Sequence, residues 1–292
     1  MYELIQVGEH SYFMDCPAKV GFYEIGNGET VIIDSGSDKD SAKKVKKILD
    51  SQGWALKSIF NTHSHADHTG GNQYLQNQTG CKIYAPGVDC AVTKFPILEL
   101  SMLYGGFAME ELHNKFLMAK ESDSEILTAE ALPEGMQIIE LPGHSYSMVG
   151  FRTADDVVFL ADCLSSAETL EKYKIGFNYD IGAYLDTLEK VKTMEAKCFV
   201  PSHAPQTDNI APLAQLNIDK TLETADTIKR LISEPKSFEQ LLSDVFAEYQ
   251  LTMNLQQRML IGSTVKSYLS WLENQGQAEY LFEDNVMLWR KI

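Results

Sequence analysis

The chain has 292 residues, 44% of them hydrophobic, which suits one large domain plus an appendage around a sizeable core. Its formal charge of −16 opposes nucleic acid and anionic membranes as partners, and no apolar run approaches the roughly 18 residues a membrane span needs. The cysteines at 16, 81, 90, 163 and 198 form no Cys-x-x-Cys pair and read as reduced thiols; with an N-terminus lacking a signal-peptide pattern, the expected location is the cytoplasm.

Short strands are predicted at Tyr2–Val7, Val20–Ile25 and Thr30–Ile33, with Gly26-Asn27-Gly28 as a hairpin turn. An amphipathic helix follows over Ser41–Ser51, with Val45, Ile48 and Leu49 inward and Gly53 ending it. Its Lys43, Lys44, Lys46 and Lys47 read as a solvated face. The pair Ile59-Phe60 then marks the end of a buried strand, and Thr69-Gly70-Gly71 a turn opening a helix.

Between them lies His63-Ser64-His65-Ala66-Asp67-His68, which holds three of the chain's histidines. Alternate side chains at a strand end can bring His63 and His65 onto one cation, while Asp67 and His68 can reach a second. Imidazole and carboxylate together suit zinc, with iron and manganese as alternatives. His10 and His113 stand alone and read as ordinary surface or core residues.

The segment resembles the His-x-His-x-Asp-His signature of the metallo-β-lactamase superfamily. That resemblance implies a four-layer αββα sandwich and assigns further residues in order along the chain. Asp34, at the end of the Thr30–Ile33 strand, matches the family's carboxylate that steadies the histidine loop. Pro142-Gly143-His144, after a predicted strand at Gln137–Leu141, matches its Pro-Gly-His turn. Ala161-Asp162 stands where the family often has Gly-Asp, at the end of a hairpin formed by Met148–Thr153 and Val157–Leu160. A helix over Ile181–Met194 leads to a strand ending at His203. The implied ligand set is His63, His65 and His144 on one metal, Asp67, His68 and His203 on the other, and Asp162 shared. All are expected at strand ends. The best-known β-lactamases have Cys where this chain has Asp162, and flavodiiron enzymes have Glu where it has His65. Cys163 is expected to be structural.

Residues 88–124 interrupt this pattern. The apolar stretch from Phe95 to Phe107, followed by a charged helical stretch to Lys120, is placed to form a lid over the metals, with Gly105-Gly106 as its hinge. The catalytic domain is expected over 1–212 and a helical, winged-helix-like domain over 213–292. The latter comprises helices Leu213–Ile232, Ser237–Tyr249 and Leu255–Leu272 and a hairpin of Ala278–Phe282 and Val286–Arg290. It holds eight Lys/Arg against eleven Asp/Glu, which points to dimerisation or to covering the active site rather than to nucleic-acid binding.

The resemblance implies a binuclear metallohydrolase in which a metal-bridging hydroxide attacks the substrate, oriented by Asp67. Tyr146, two residues past His144, is a candidate donor to the developing oxyanion. The expected substrate is a small ester, thioester or lactone. A phosphodiesterase or ribonuclease of the same fold and a mononuclear-iron persulfide dioxygenase are the alternatives. The basic glutathione-binding residues of the glyoxalase II group are not matched in this chain.

Overall fold

The computed structural model describes residues 2–292. Its first sheet runs in spatial order β1 (Glu3–Gln6), β2 (Ser11–Asp15), β3 (Val20–Gly26), β4 (Glu29–Ile33), β5 (Ala55–Phe60), β6 (Lys82–Ala85) and β7 (Ser124–Ile126). The first four strands pair antiparallel, and β4 through β7 pair parallel, as their helical crossovers require. These crossovers are α1 (Lys39–Gln52), then α2 (Ala66–Thr69) and α3 (Asn72–Thr79), then α4 (Gly87–Lys94) and α5 (Ile97–Tyr104). Asp38 caps α1 by accepting from the amides of Asp40 and Ser41, and Gly53 ends it in the left-handed conformation.

The second sheet has the order β11-β10-β9-β8, from β8 (Gln137–Glu140), β9 (Val149–Arg152), β10 (Val157–Ser165) and β11 (Cys198–His203). Between β10 and β11 come α6 (Ala167–Tyr173) and α7 (Ile181–Lys192).

The two-residue period of the strands builds four layers. Val31 and Ile33 point with Phe13 and Phe60 toward Phe151, Val157 and Phe159 of the second sheet, while Ile32, between them, faces Val45 and Leu49 of α1. Across the second sheet, Val158 and Leu160 face Tyr184 and Leu188 of α7 and Ala214 of α8 (Ala211–Leu231). The result is a helix–sheet–sheet–helix sandwich, the fold class expected.

Beyond α8 lie β12 (Lys236–Ser237), α9 (Phe238–Glu248), α10 (Leu255–Asn274), β13 (Ala278–Glu283) and β14 (Val286–Lys291). The expected hairpin gains a third strand, giving a sheet of order β12-β14-β13. Ser237 opens α9 with a reciprocal capping box to Gln240. No helix among the described residues is long and apolar enough to cross a membrane.

The structure corrects several expectations. The strand β2 and the short β7 and α6 lie outside the predicted elements. Residues 108–120 do not form a charged helix: only one 3-10 turn, Glu110–Leu112, is present there. Asn114 explains the break, because its side-chain oxygen accepts from the Phe116 amide and competes with a helical backbone bond. Nor does Asp162 end a strand. It lies inside β10, next to a register shift where Ala161 takes a φ of +52°.

Candidate metal centre

The parallel strands deliver their following loops to one edge of the sandwich. Beyond β5, His63 is fully buried and His65 stands at the N-terminus of α2, which carries Asp67 and His68. His144 follows the tight turn after β8. Gly143 there has a φ of +121°, and a Cβ on it would come within 2.3 Å of the Tyr184 amide nitrogen, so no other residue fits without displacing α7. Asp162 comes from the bulge of β10 and His203 from the end of β11.

These residues converge as two groups of donor atoms. His63, His65 and His144 form one and Asp67, His68, Asp162 and His203 the other, with the atoms of each group within 4.8 Å of one another. In the first, His65 Nδ1 lies 3.1 Å from His63 Nε2 and 3.0 Å from His144 Nε2. In the second, Asp162 Oδ1 is 3.0 Å from His68 Nε2, and Asp162 Oδ2 is 3.0 Å from His203 Nε2. Asp67 Oδ2 lies 3.4 Å from His203 Nε2. Because Asp162 Oδ2 is also 3.6 Å from His144 Nε2, this carboxylate stands between the groups.

A hydrogen-bond relay sets two of the tautomers. Asp34 accepts from the Thr62 amide and, through Oδ2, from the Thr62 hydroxyl, both at 2.8 Å. The hydroxyl's one proton being spent, it accepts from His63 Nδ1 at 2.9 Å, which leaves Nε2 of His63 as a bare lone pair. Asp34 Oδ2 also accepts from His68 Nδ1 at 2.8 Å, which frees Nε2 of that ring. The sequence-predicted role of Asp34 thus rests on bonds to both loop histidines, one direct and one relayed.

Electrostatics divide the groups. Burial, helped by repulsion from neighbouring rings, lowers the pKa of His63 well below its ordinary value and that of His65 to about 3. Burial likewise lowers His144. Burial also pulls on His68 and His203, but the carboxylates Asp162 and Asp67 overcome it, raising His68 strongly and His203 to about 10. Burial works against the charge of Asp162 and Asp67 too, yet the adjacent imidazoles hold both well below the ordinary carboxylate range.

The donor set fits a pair of divalent cations. His68 Nε2 and Asp162 Oδ1 are buried and face each other at 3.0 Å, and no other described atom bonds to either. Buried polar atoms without partners are costly. Two such atoms aimed at one point are accounted for by a cation.

Other residues at the centre left no mark in the sequence. Asp89 of α4, fully buried, accepts from the amide and hydroxyl of Ser64 and from the Ser145 hydroxyl through Oδ1, and from the Ser147 amide through Oδ2. It therefore ties the His63–His65 loop to the His144 loop, from a position 25 residues beyond Ser64 where no local pattern could reveal it. Phe177 sets its ring 5.2 Å from that of His65 and 5.9 Å from that of His144, forming an apolar wall.

Tyr146 packs its ring 4.5 Å from Tyr179, and burial first, then Tyr179, Glu99 and Asp89, push its hydroxyl up to about 12. That hydroxyl makes no hydrogen bond to the donor groups among the described residues. Cys163 is buried and its thiol is pushed further up by burial, in keeping with a structural part.

The inserted segment is more firmly packed than a hinged lid implies. Leu100, Leu103, Leu112 and Leu117 form a small core that meets Leu255, Met259 and Leu260 of α10. Its Phe107 and Phe116 face solvent, being 77% and 71% exposed, rather than walling the donor groups. A cavity of about 110 Å3 extends from His144 and Asp162 toward Asn217 of α8 and Tyr268 of α10.

Comparison with known proteins agrees with this geometry. The family model described as the metallo-beta-lactamase superfamily matches residues 14–203. A hydroxyacylglutathione hydrolase of Rhodospirillum rubrum is 28% identical over 164 residues, covering 56% of this chain and 54% of that protein. Another from Methylococcus capsulatus is 28% identical over 143 residues, covering 49% of this chain and 45% of that protein. The chain thus spans about half the length of the curated relatives it matches. In structure, it resembles a beta-lactamase domain protein from Burkholderia ambifaria, with a TM-score of 0.72 at 16% identity over 99% of this chain and 94% of that one. A metallo-beta-lactamase family protein of Thermus thermophilus has the same TM-score at 14% identity, over 99% of this chain and 98% of that one. At such identities the likeness concerns the fold, and it extends through the C-terminal helices.

Proposed function

The chain belongs to the metallo-β-lactamase superfamily, and on that premise we propose that it is a hydrolase dependent on two divalent cations, acting on a small ester, thioester or lactone. The observation that carries this reading is the convergence of seven donor side chains in two groups, with Asp162 between them and two buried lone pairs lacking any other partner. His63, His65 and His144 would hold one cation, and Asp67, His68 and His203 the other, with Asp162 shared; zinc suits this borderline donor set, and iron or manganese would also fit it.

Cations bound there would supply Lewis-acid polarisation of a carbonyl and water acidified to a pKa of about 7. The protein's own contribution is placement. Asp34, through Thr62 to His63 and directly to His68, holds a proton on Nδ1 of both rings and aims Nε2 of each inward. Asp67, 43% exposed at its side chain, is the donor most open to solvent and is suited to orient an incoming water. Phe177 keeps bulk water from the His65 and His144 rings. Tyr146, protonated at neutral pH, is suited to donate a hydrogen bond to negative charge developing on the substrate once a ligand brings the two together.

Support for an acyl substrate comes from the named acyl-glutathione hydrolases among the relatives and from the apolar Phe177 wall. The charge of −16 argues against a polyanionic substrate, a nucleic acid or an anionic membrane surface. The cavity toward Asn217 and Tyr268 favours a role of the C-terminal helices in closing the substrate site; self-association through that domain is the other role its composition allows.

Elemental analysis of protein purified without chelator, combined with a panel of esters, thioesters, lactones and phosphodiesters, tests the reading. Two metals per chain and the highest kcat/KM on a small acyl substrate are expected. A stable content of one iron, with oxygen uptake on a persulfide, would replace it, as would a wide preference for phosphodiesters.

A further inference from the structure

Helix α5 carries one charged residue into the interior. Glu99 is 9% exposed, and no hydrogen bond reaches its carboxylate among the described residues. Its ionic contact is with His65, whose Nε2 lies 3.6 Å from Glu99 Oε1. A carboxylate withdrawn this far from water is costly unless a compensating charge or donor stands beside it. Burial first, then repulsion from Asp89 and Asp67, pushes the Glu99 carboxyl up to about 8, so a positive charge or a donor beside it is needed for the anion to persist.

The orientation of His65 supplies the compensation. Its Nδ1 faces His63 and His144, at 3.1 and 3.0 Å, so the cation side of the ring is Nδ1. The Nε2 edge is then the one that must carry the proton, and it is turned toward Glu99. With a cation at Nδ1 the Nε2–H would be a stronger donor, and a carboxylate accepting from it would in turn raise the basicity of Nδ1. Without such an acceptor the two tautomers of His65 compete, and one of them has no lone pair to offer at Nδ1.

We propose that Glu99 is a positioning residue that accepts from His65 Nε2–H and fixes the tautomer through which His65 binds a cation, so that the inserted helices help complete the metal centre. The gap of 3.6 Å exceeds a formed hydrogen bond; a cation held at Nδ1 would polarise the Nε2–H toward Glu99 and favour its closing. This rests on the metal-dependent reading above. It also gives the 88–124 insertion a role in metal affinity, where the sequence suggested only a lid.

The test uses the full-length protein, with zinc titrated against a competing chelator, and the imidazole 15N–1H NMR signals of the zinc-loaded form. Wild type should bind two zinc ions and show a protected His65 Nε2–H. Glu99→Ala should weaken the first zinc by about 10–100-fold, the usual loss when an outer-shell partner of a ligand is removed, and should lose the protected signal, leaving the second zinc within about threefold. Glu99→Gln keeps the shape and a neutral acceptor oxygen, so it should weaken the first zinc by less and retain the signal; it also serves where the alanine variant fails to fold. Both variants binding both zinc ions like wild type, with the His65 signal unchanged, would overturn the proposal. A wild type that takes up no divalent cation would instead overturn the functional reading beneath it.

Discussion

His65 and Asp67 are separated by one residue, yet they belong to groups of opposite electrostatic character. The group of His63, His65 and His144 contains no carboxylate, and burial keeps its three rings neutral. The group of Asp67, His68, Asp162 and His203 has two carboxylates, which hold His68 and His203 protonated when no cation is present. Protons can therefore stand in for a cation in the mixed group, whereas the imidazole group has only converging lone pairs. Apart from the shared Asp162, the first depends wholly on its supports to aim neutral donors, whereas the second adds its own charges to one direct support, Asp34.

The largest effect is expected at the residue common to both. Asp162→Ala removes the carboxylate between the groups, and metal content and activity should fall together. Retention of one cation at wild-type affinity would show the groups to be more independent than their shared carboxylate implies.

Asp34→Ala comes next. It orphans His68 Nδ1 directly and reaches His63 only through Thr62, so the mixed group should lose about 10–100-fold in affinity and the imidazole group less. Chelator competition resolves the two steps, and equal losses would contradict the ordering.

Asp89→Ala sharpens the contrast from the other side. Its four donors come from the loops carrying His63, His65 and His144. Each buried donor left without an acceptor costs about 1–3 kcal/mol, so Tm of the metal-free protein should fall and the imidazole group should weaken first. Loss of the mixed group alone would break the assignment.

The smallest effect concerns the backbone beside Asp162. Ala161 occupies the left-handed region at φ +52°, which costs a side chain with a Cβ about 1–2 kcal/mol. Glycine relieves that strain but adds chain entropy to the unfolded state, so Ala161→Gly should raise stability by at most about 1 kcal/mol. A lower Tm would mean that the buried Ala161 methyl packs to greater effect than its strain.

Much of the sandwich was readable in order, because strand periodicity and helix caps are local. Ile32 alternates with Val31 and Ile33 in the sequence as it does between the two faces of the sheet. The helix α1 lies between an Asp and a Gly that cap it. The sequence misleads where local signals compete. The stretch Met109-Glu110-Glu111-Leu112-His113-Asn114 has helical composition, but Asn114 turns its side chain to the backbone and the helix fails. The strand β10 continues past the expected end because a bulge, invisible to a period-two reading, carries Asp162 within it.

By itself the sequence determined the donor types, their spacing in His63–His68, and the layered alternation of strands and helices, since all three depend on neighbours a few residues away. That His144, Asp162 and His203 join that cluster was implied by the family resemblance, and the tertiary structure alone decided that the two groups carry unequal charge. It alone placed Asp89, Glu99 and Phe177 around them. These contacts span tens of residues and are set by strand register, a bulge and helix packing; no short stretch of sequence encodes any of the three.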